Sequence, residues 1–191
     1  FIPAKTKQHF AFSKVENMIS SLPKKIAIAY SIQFHNIAIK VKKEFSKSRE
    51  ITSLVQVLGC SSPKFPKETQ AILLIGSGKF HAVSLAFESK IPVYILRQNA
   101  LEKVSDEEVK ELERRHKASY LKFLRSKRVG VIVSTKPGQQ LLRRALALKE
   151  KIKDKKFYFF ISNDINVKEF ENFGPDSWIN TACPRLDMDE P

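Results

Sequence analysis

Cysteine is scarce, with two in 191 residues. A disulfide framework is thereby excluded, and so few thiols fit a reducing compartment, which points to the cytoplasm. The two do not form a C-x-x-C pair, so a zinc ribbon or ferredoxin site within this chain is excluded. Glycine and proline are few as well, at six and nine, and with 42% hydrophobic and 28% charged residues the composition is that of a globular chain. Collagen-like, disordered and coiled-coil classes fall away. No apolar run reaches the roughly 18 residues a membrane span needs. The longest, Ala71–Ile75 and Phe157–Ile161, are broken within a few positions, so a soluble protein with no membrane partner is expected. Acidic residues are the scarcer charge, 20 Asp+Glu against 34 Lys+Arg, leaving +14. That excess favours nucleic acid, anionic cofactors or an acidic protein surface as partners, although a lysine-rich solvated surface accounts for it equally. A chain of this size buries roughly 70% of its unfolded surface, enough for a real core. It begins at Phe1 without Met and has no leader pattern, and it reads as part of a longer polypeptide.

What is present is an alternation of strands and helices. Ile26-Ala27-Ile28-Ala29-Tyr30-Ser31 has the length and apolar character of a buried strand. A helix follows over Phe34–Phe45, with Phe34, Ile37, Ala38, Val41 and Phe45 at spacings of three and four. Further strands are expected at Leu54–Leu58, Ala71–Ile75 and Ile91–Leu96, with a short helix near His81–Ser89 before the last. Ser105 and Glu108 match a capping box that opens a long charged helix to about Ser126, with an apolar stripe of Val109, Leu112, Tyr120, Phe123 and Leu124. So dense a polar face suggests a helix joining two domains. The pattern then restarts with strand Val129–Val133, helix Gln139–Lys153, strand Phe157–Ile161, helix Val167–Phe173 and strand Trp178–Ala182. The expected fold is α/β, with two similar domains of parallel sheets flanked by helices, and ligands beyond the carboxyl ends of the strands. An internal duplication pairs Ile72–Gly78, a helix and Ile91–Leu96 with Ile132–Gly138, a helix and Phe157–Ile161.

Polar loops at strand ends carry the candidate chemistry. Gly76-Ser77-Gly78-Lys79 stands between a strand and a helix, where backbone amides can hold an anion. It is not a triphosphate loop, because Leu73 stands where the upstream glycine belongs and Phe80 replaces the magnesium-binding Ser/Thr. A tight turn is the plain alternative. Ser134-Thr135-Lys136-Pro137-Gly138-Gln139 occupies the matching place in the second half. Cys60 and Cys183 each follow an apolar strand into a proline-containing loop, either as small buried hydrophobes or as thiols opening toward one shared cleft. His9, His35, His81 and His116 show no metal-ligand spacing and receive no role.

Gly-Cys-Ser-Ser-Pro at 59–63, Gly-Ser-Gly-Lys-Phe-His at 76–81, Ser-Thr-Lys-Pro-Gly-Gln at 134–139 and Asn-Thr-Ala-Cys-Pro-Arg-Leu-Asp at 180–187, in this order and spacing, resemble the diphthamide synthase family, the 2-(3-amino-3-carboxypropyl)histidine synthases. The resemblance runs from about Lys24 to the end. It implies three similar α/β domains, each giving one cysteine to a [4Fe-4S] cluster that binds S-adenosylmethionine at its open iron. The sulfonium is cleaved to a 3-amino-3-carboxypropyl radical that adds to a histidine of translation elongation factor 2. By the same resemblance Cys60 and Cys183 are cluster ligands, and Gly76, Ser77, Gly78, Ser134, Thr135, Lys136 and Gln139 shape the cofactor cleft. Arg185 and Asp187 hold the methionine carboxylate and amino group, and no residue is assigned to catalysis itself. Residues 1–23 become the end of a first domain and a linker, 24–104 a middle domain, 105–127 a connecting helix and 128–191 a truncated last domain. A third cysteine is absent, so this chain alone is not expected to hold a stable cluster or to be active. The family pairs as a homodimer or with a paralogue.

Two other readings stay open. One is a noncatalytic member or scaffold that keeps the fold and binds a partner. The other is a basic nucleic-acid-binding protein, suggested by charge alone. It is disfavoured because no RNP-type aromatic motif is present and Phe157, Tyr158, Phe159 and Phe160 read as strand core.

Overall fold

The run Lys25–Tyr30 forms β1, with every side chain from Ile26 onward buried. This strand is the centre of the first of two units, Phe1–Leu112 and Glu113–Pro191, into which the chain divides. The computed structural model describes residues 19–58, 62–76, 78–97, 100–183 and 186–189.

In the first unit β1 lies between β2 (Glu50–Gln56) and β3 (Ala71–Ile75). Beyond β3 come β4 (Val93–Arg97) and β5 (Ala100–Lys103), in the order β2-β1-β3-β4-β5. The first four are parallel, and β5 is antiparallel to β4. A 3-10 turn, Ile32–Phe34, and helix α1 (His35–Phe45) connect β1 to β2, while α2 (Lys79–Ser89) connects β3 to β4. These crossovers leave in opposite directions, and right-handedness in both puts α1 and α2 on opposite faces. Both faces of β1 are therefore apolar. Ile26, Ile28 and Tyr30 join Ile37, Ala38, Val41 and Phe45 of α1 in one core, and Ala27 and Ala29 are buried on the other side.

Two edges differ from the sequence expectation. β2 begins at Glu50 rather than Leu54 and ends at Gln56, leaving Leu58 outside it and 53% exposed. Its polar start is accommodated because the Thr52 and Thr69 hydroxyls bond each other at 2.8 Å. β5 was not expected, since four residues without clear alternation carry no period, yet they pair with β4 over Tyr94–Arg97.

Helix α3 (Asp106–Arg125) opens with the expected capping box. Ser105 Oγ accepts from the Glu108 amide at 3.2 Å, and Glu108 Oε2 accepts from the Ser105 amide at 3.1 Å. Leu112 is buried, but Tyr120 and Leu124, expected in the apolar stripe, are 61% and 50% exposed. The second unit continues with β6 (Arg128–Ser134), α4 (Leu142–Lys151), β7 (Lys156–Ser162), β8 (Ser177–Asn180) and the short α5 (Leu186–Asp189). Its sheet is all parallel in the order β7-β6-β8. The helix expected over Val167–Phe173 is a 3-10 helix, Val167–Asn172, whose Lys168 amide donates to the Asn166 side chain at 3.2 Å.

Strand order revises the internal correspondence. In each unit a central strand pairs first with its successor and then, on its other side, with the third strand. The matching elements are β1 with β6, β2 with β7 and β3 with β8, not β3 and β4 with β6 and β7.

One face of the second sheet packs Val129, Val131 and Val133 against Ala145, with Leu142, Phe157 and Phe159 at the margin. The other face carries Trp178, stacked on Phe170 at 4.5 Å and tilted against Phe160 at 4.7 Å. The indole lies against Gly130, where a Cβ would come within 2.4 Å of the ring. Lys155, whose side chain is only 6% exposed, donates from Nζ to the carbonyls of Leu124 at 3.0 Å and Ser126 at 2.8 Å. It thus satisfies the end of α3 with a cation where the helix dipole favours one. Asp176 accepts from the Lys127 and Arg128 amides and from the Arg128 guanidinium at 2.9 Å. Those bonds hold its carboxyl down from 3.8 to about 2.

Gly130→Ala is expected to cost about 1–3 kcal/mol in chemical denaturation, as overpacking against a fixed ring does, with a shifted emission from Trp178. The depressed Asp176 carboxyl stabilises the fold above pH 3.8, and that contribution is lost as pH falls through about 2. The stability gap between the native protein and Asp176→Asn should therefore close across that interval of an acid titration.

Candidate functional site

Where crossovers leave a parallel sheet in opposite directions, a crevice opens beyond the carboxyl ends of the strands. In the first unit the reversal lies between β1 and β3, and in the second between β6 and β8.

At the first reversal β1 ends in Tyr30-Ser31 and β3 in Ile75-Gly76, with the Ser31 amide donating to the Ile75 carbonyl at 3.3 Å. Gly76 is buried, and a Cβ there would sit 3.6 Å from Ser31 Oγ. Gly78 caps α2 at φ −113°, an extended conformation open to any residue, and a Cβ there would meet His81 Nδ1 at an ordinary 3.7 Å. Ser77 and Cys60 lie outside the described residues. Lys79, which stands where a phosphate-loop lysine would, is already committed. Its ammonium lies 3.1 Å from Glu102 and 3.2 Å from Glu108, and hydrogen bonds to those carboxylates raise its pKa. Just past the end of β1 the Tyr30 hydroxyl and His35 Nδ1 are 3.0 Å apart, a pair to which the sequence pattern assigned nothing.

In the second unit Ser134 is fully buried at the end of β6, and its Oγ accepts from the Lys136 amide at 3.1 Å. Thr135 donates its amide to the Ser162 carbonyl and its hydroxyl to Asn163. Lys136 Nζ reaches Asp164 at 3.1 Å. Gly138 takes φ +80°, a left-handed value that favours glycine. Gln139 does not open the following helix as expected. It closes a turn by donating its amide to the Lys136 carbonyl, and α4 begins only at Leu142, because the positive φ of Gly138 interrupts helical geometry.

Beyond β8 the chain bends around one side chain. Asn180 Nδ2 donates to the Cys183 carbonyl at 2.8 Å and to Asp187 Oδ1 at 2.9 Å, while its Oδ1 accepts from the Ala182 amide at 2.8 Å. Thr181 ties the loop to the sheet through its amide and hydroxyl, at 3.0 and 2.6 Å from the Ile132 carbonyl. Cys183 is a free, half-buried thiol in this frame. Asp187 is exposed as a residue, yet its carboxyl is crowded by protein. Desolvation raises its pKa, opposed by the Asn180 hydrogen bond and the His116 charge. Arg185 lies outside the described residues. Asn180 was missed as a site residue, although its place at the head of Asn-Thr-Ala-Cys is the sequence signal of an Asx-type turn.

The family model of diphthamide synthesis proteins matches residues 1–191. Among curated proteins, the 2-(3-amino-3-carboxypropyl)histidine synthase of Methanocaldococcus jannaschii is 29% identical over the whole chain, and that of Pyrococcus horikoshii 28%. The chain spans 56% and 59% of their lengths. Among solved structures, Dph2 from Pyrococcus horikoshii superposes with a TM-score of 0.83 at 26% identity, covering all of this chain and 60% of that one. The same protein with a 4Fe-4S cluster gives 0.82 at 27% identity over 99% of this chain and 60% of that one.

The donor set here suits such a cluster in kind but not in number. Thiolates are the ligands iron–sulfur clusters take, and Cys183 offers one on a braced loop. The chain holds two cysteines, and among the described residues no three His, Cys, Asp or Glu side chains gather to hold a metal ion.

Asn180→Ala removes three hydrogen bonds that hold the Cys183 loop, an expected loss of about 1–3 kcal/mol locally. Alkylation of Cys183 by an uncharged thiol reagent should then run at least several-fold faster.

Proposed function

Because this chain belongs to the diphthamide synthesis protein family, we propose that it forms part of a 2-(3-amino-3-carboxypropyl)histidine synthase. The reaction is the first step of diphthamide biosynthesis, transfer of a 3-amino-3-carboxypropyl group from S-adenosylmethionine to a histidine of translation elongation factor 2, in the cytoplasm. The observation that carries the reading is the loop after β8, where Asn180 braces a free thiol, in a chain matched over its whole length. Cys60 and Cys183 each contribute one thiolate to a [4Fe-4S] cluster whose third protein ligand comes from outside these 191 residues. A cluster, when bound, supplies the electron that breaks the sulfonium C–S bond and an iron open to the cofactor.

This chain's own groups bind and orient. Gly76, buried at the end of β3, presents no side chain to a cofactor lying beyond the strand. The buried Ser134 Oγ shapes the turn after β6, and Lys136 is held toward Asp164 at that rim. Arg185 supplies a planar fork for the methionine carboxylate. Asp187 keeps one oxygen on Asn180 and offers the other to the amino group. A second subunit, the same chain or a paralogue, completes the enzyme.

In the full-length protein, Cys183→Ala should abolish the visible absorption of a cluster reconstituted anaerobically with iron and sulfide. Arg185→Ala should leave that absorption intact and weaken S-adenosylmethionine binding by about 1.5–3 kcal/mol, the range for hydrogen bonds to charged groups. An undiminished cluster in Cys183→Ala overturns the reading.

A further inference from the structure

Tyr30 and His35 stand at the reversal point of the first unit, and no role in the resemblance or in the loops discussed so far falls on them. Tyr30 is the last residue of β1 and is 7% exposed, whereas His35 is the exposed first residue of α1. The 3-10 turn Ile32–Phe34 folds the chain back so that the imidazole lies beside the phenol, with ring centroids 5.3 Å apart and Nδ1 3.0 Å from the hydroxyl. A nearly buried hydroxyl that only accepted would leave its proton without a partner, so Tyr30 donates and Nδ1 accepts. In the tautomer that accepts at Nδ1, the ring's N–H is on Nε2. Gly76, whose missing Cβ faces Ser31 Oγ, lies at the neighbouring strand end. The correspondence of β1 with β6 adds a second argument. The segment after β1 that holds these residues is the counterpart of the Ser134–Gln139 segment after β6.

We infer that Tyr30 and His35 form a positioning pair of the first unit's cleft, in which Tyr30 sets the ring and His35 Nε2–H donates to an oxygen of the nucleoside-containing ligand seated beyond Gly76. Ribose hydroxyls are acceptors of that class that an imidazole N–H can serve. The inference rests on the proposed function, which supplies S-adenosylmethionine as the nucleoside-containing ligand.

The test uses the full-length protein with S-adenosylmethionine as probe, comparing His35→Ala, His35→Gln and Tyr30→Phe with Arg185→Ala. His35→Ala and Tyr30→Phe should each weaken binding about five- to tenfold, the worth of one neutral hydrogen bond, with denaturation midpoints near the native value in His35→Ala. His35→Gln, whose amide nitrogen reaches the place of Nε2, should recover most of the affinity. In spectra of nitrogen-15-labelled histidine, Nε2 of His35 should be the protonated nitrogen and should shift on adding the probe. Native affinity in His35→Ala beside weakened affinity in Arg185→Ala overturns the pair while leaving the proposed function standing. Native affinity in both overturns the proposed function and the pair with it. Weakened binding in His35→Ala that His35→Gln does not recover, with no Nε2 shift, makes the pair purely structural and also overturns the inference.

Discussion

Each unit depends on one strand hydrogen-bonded on both edges to parallel neighbours. Parallel neighbours cannot be joined by a tight turn, so the chain must leave by the carboxyl end and cross over through a helix or long segment. Handedness sends crossovers toward opposite neighbours to opposite faces, which buries β1 from Ile26 to Tyr30 with no polar side chain except the terminal phenol. Polar groups that must meet a ligand are left one place to gather, beyond the strand ends. In the first unit Tyr30, Ser31 and Gly76 stand at those ends, and in the second Ser134, Thr181 and Cys183.

The parts of the fold governed by period were legible. Apolar runs of five or six residues announced β1 and β3, and spacings of three and four announced α1, because burial on a regular element repeats with that element's geometry. Where hydrogen bonding between distant residues decides, the pattern fell silent. The start of β2 is polar because Thr69, far along the chain, bonds Thr52. β5 exists because β4 offers it an edge, and α4 starts late because Gly138 turns left-handed.

The same division holds in the candidate site. Gly76, Ser134, Lys136 and Cys183 were named because loops after strands stand out and carry the family's residues. Asn180 and the Tyr30–His35 pair were passed over because their work is done by angles and distances that no residue type declares. Lys79 shows the converse error that composition invites, since a lysine after Gly-Ser-Gly looks ready for phosphate until Glu102 and Glu108 are seen to hold it. A charge excess in the sequence therefore overstates the cations free to meet a partner.

Lys155 ties two distant stretches of the second unit together. During synthesis the helix that ends at Arg125 emerges with its final carbonyls open to water, and the ammonium that will close them arrives some thirty residues later, at the threshold of β7. Its hydrophobic stem and the nearby Phe123 ring, 5.1 Å from Nζ, shed water only when that strand docks. The end of α3 and the start of β7 are thus satisfied by the same ammonium, so a change that loosens one frees a buried charge at the other.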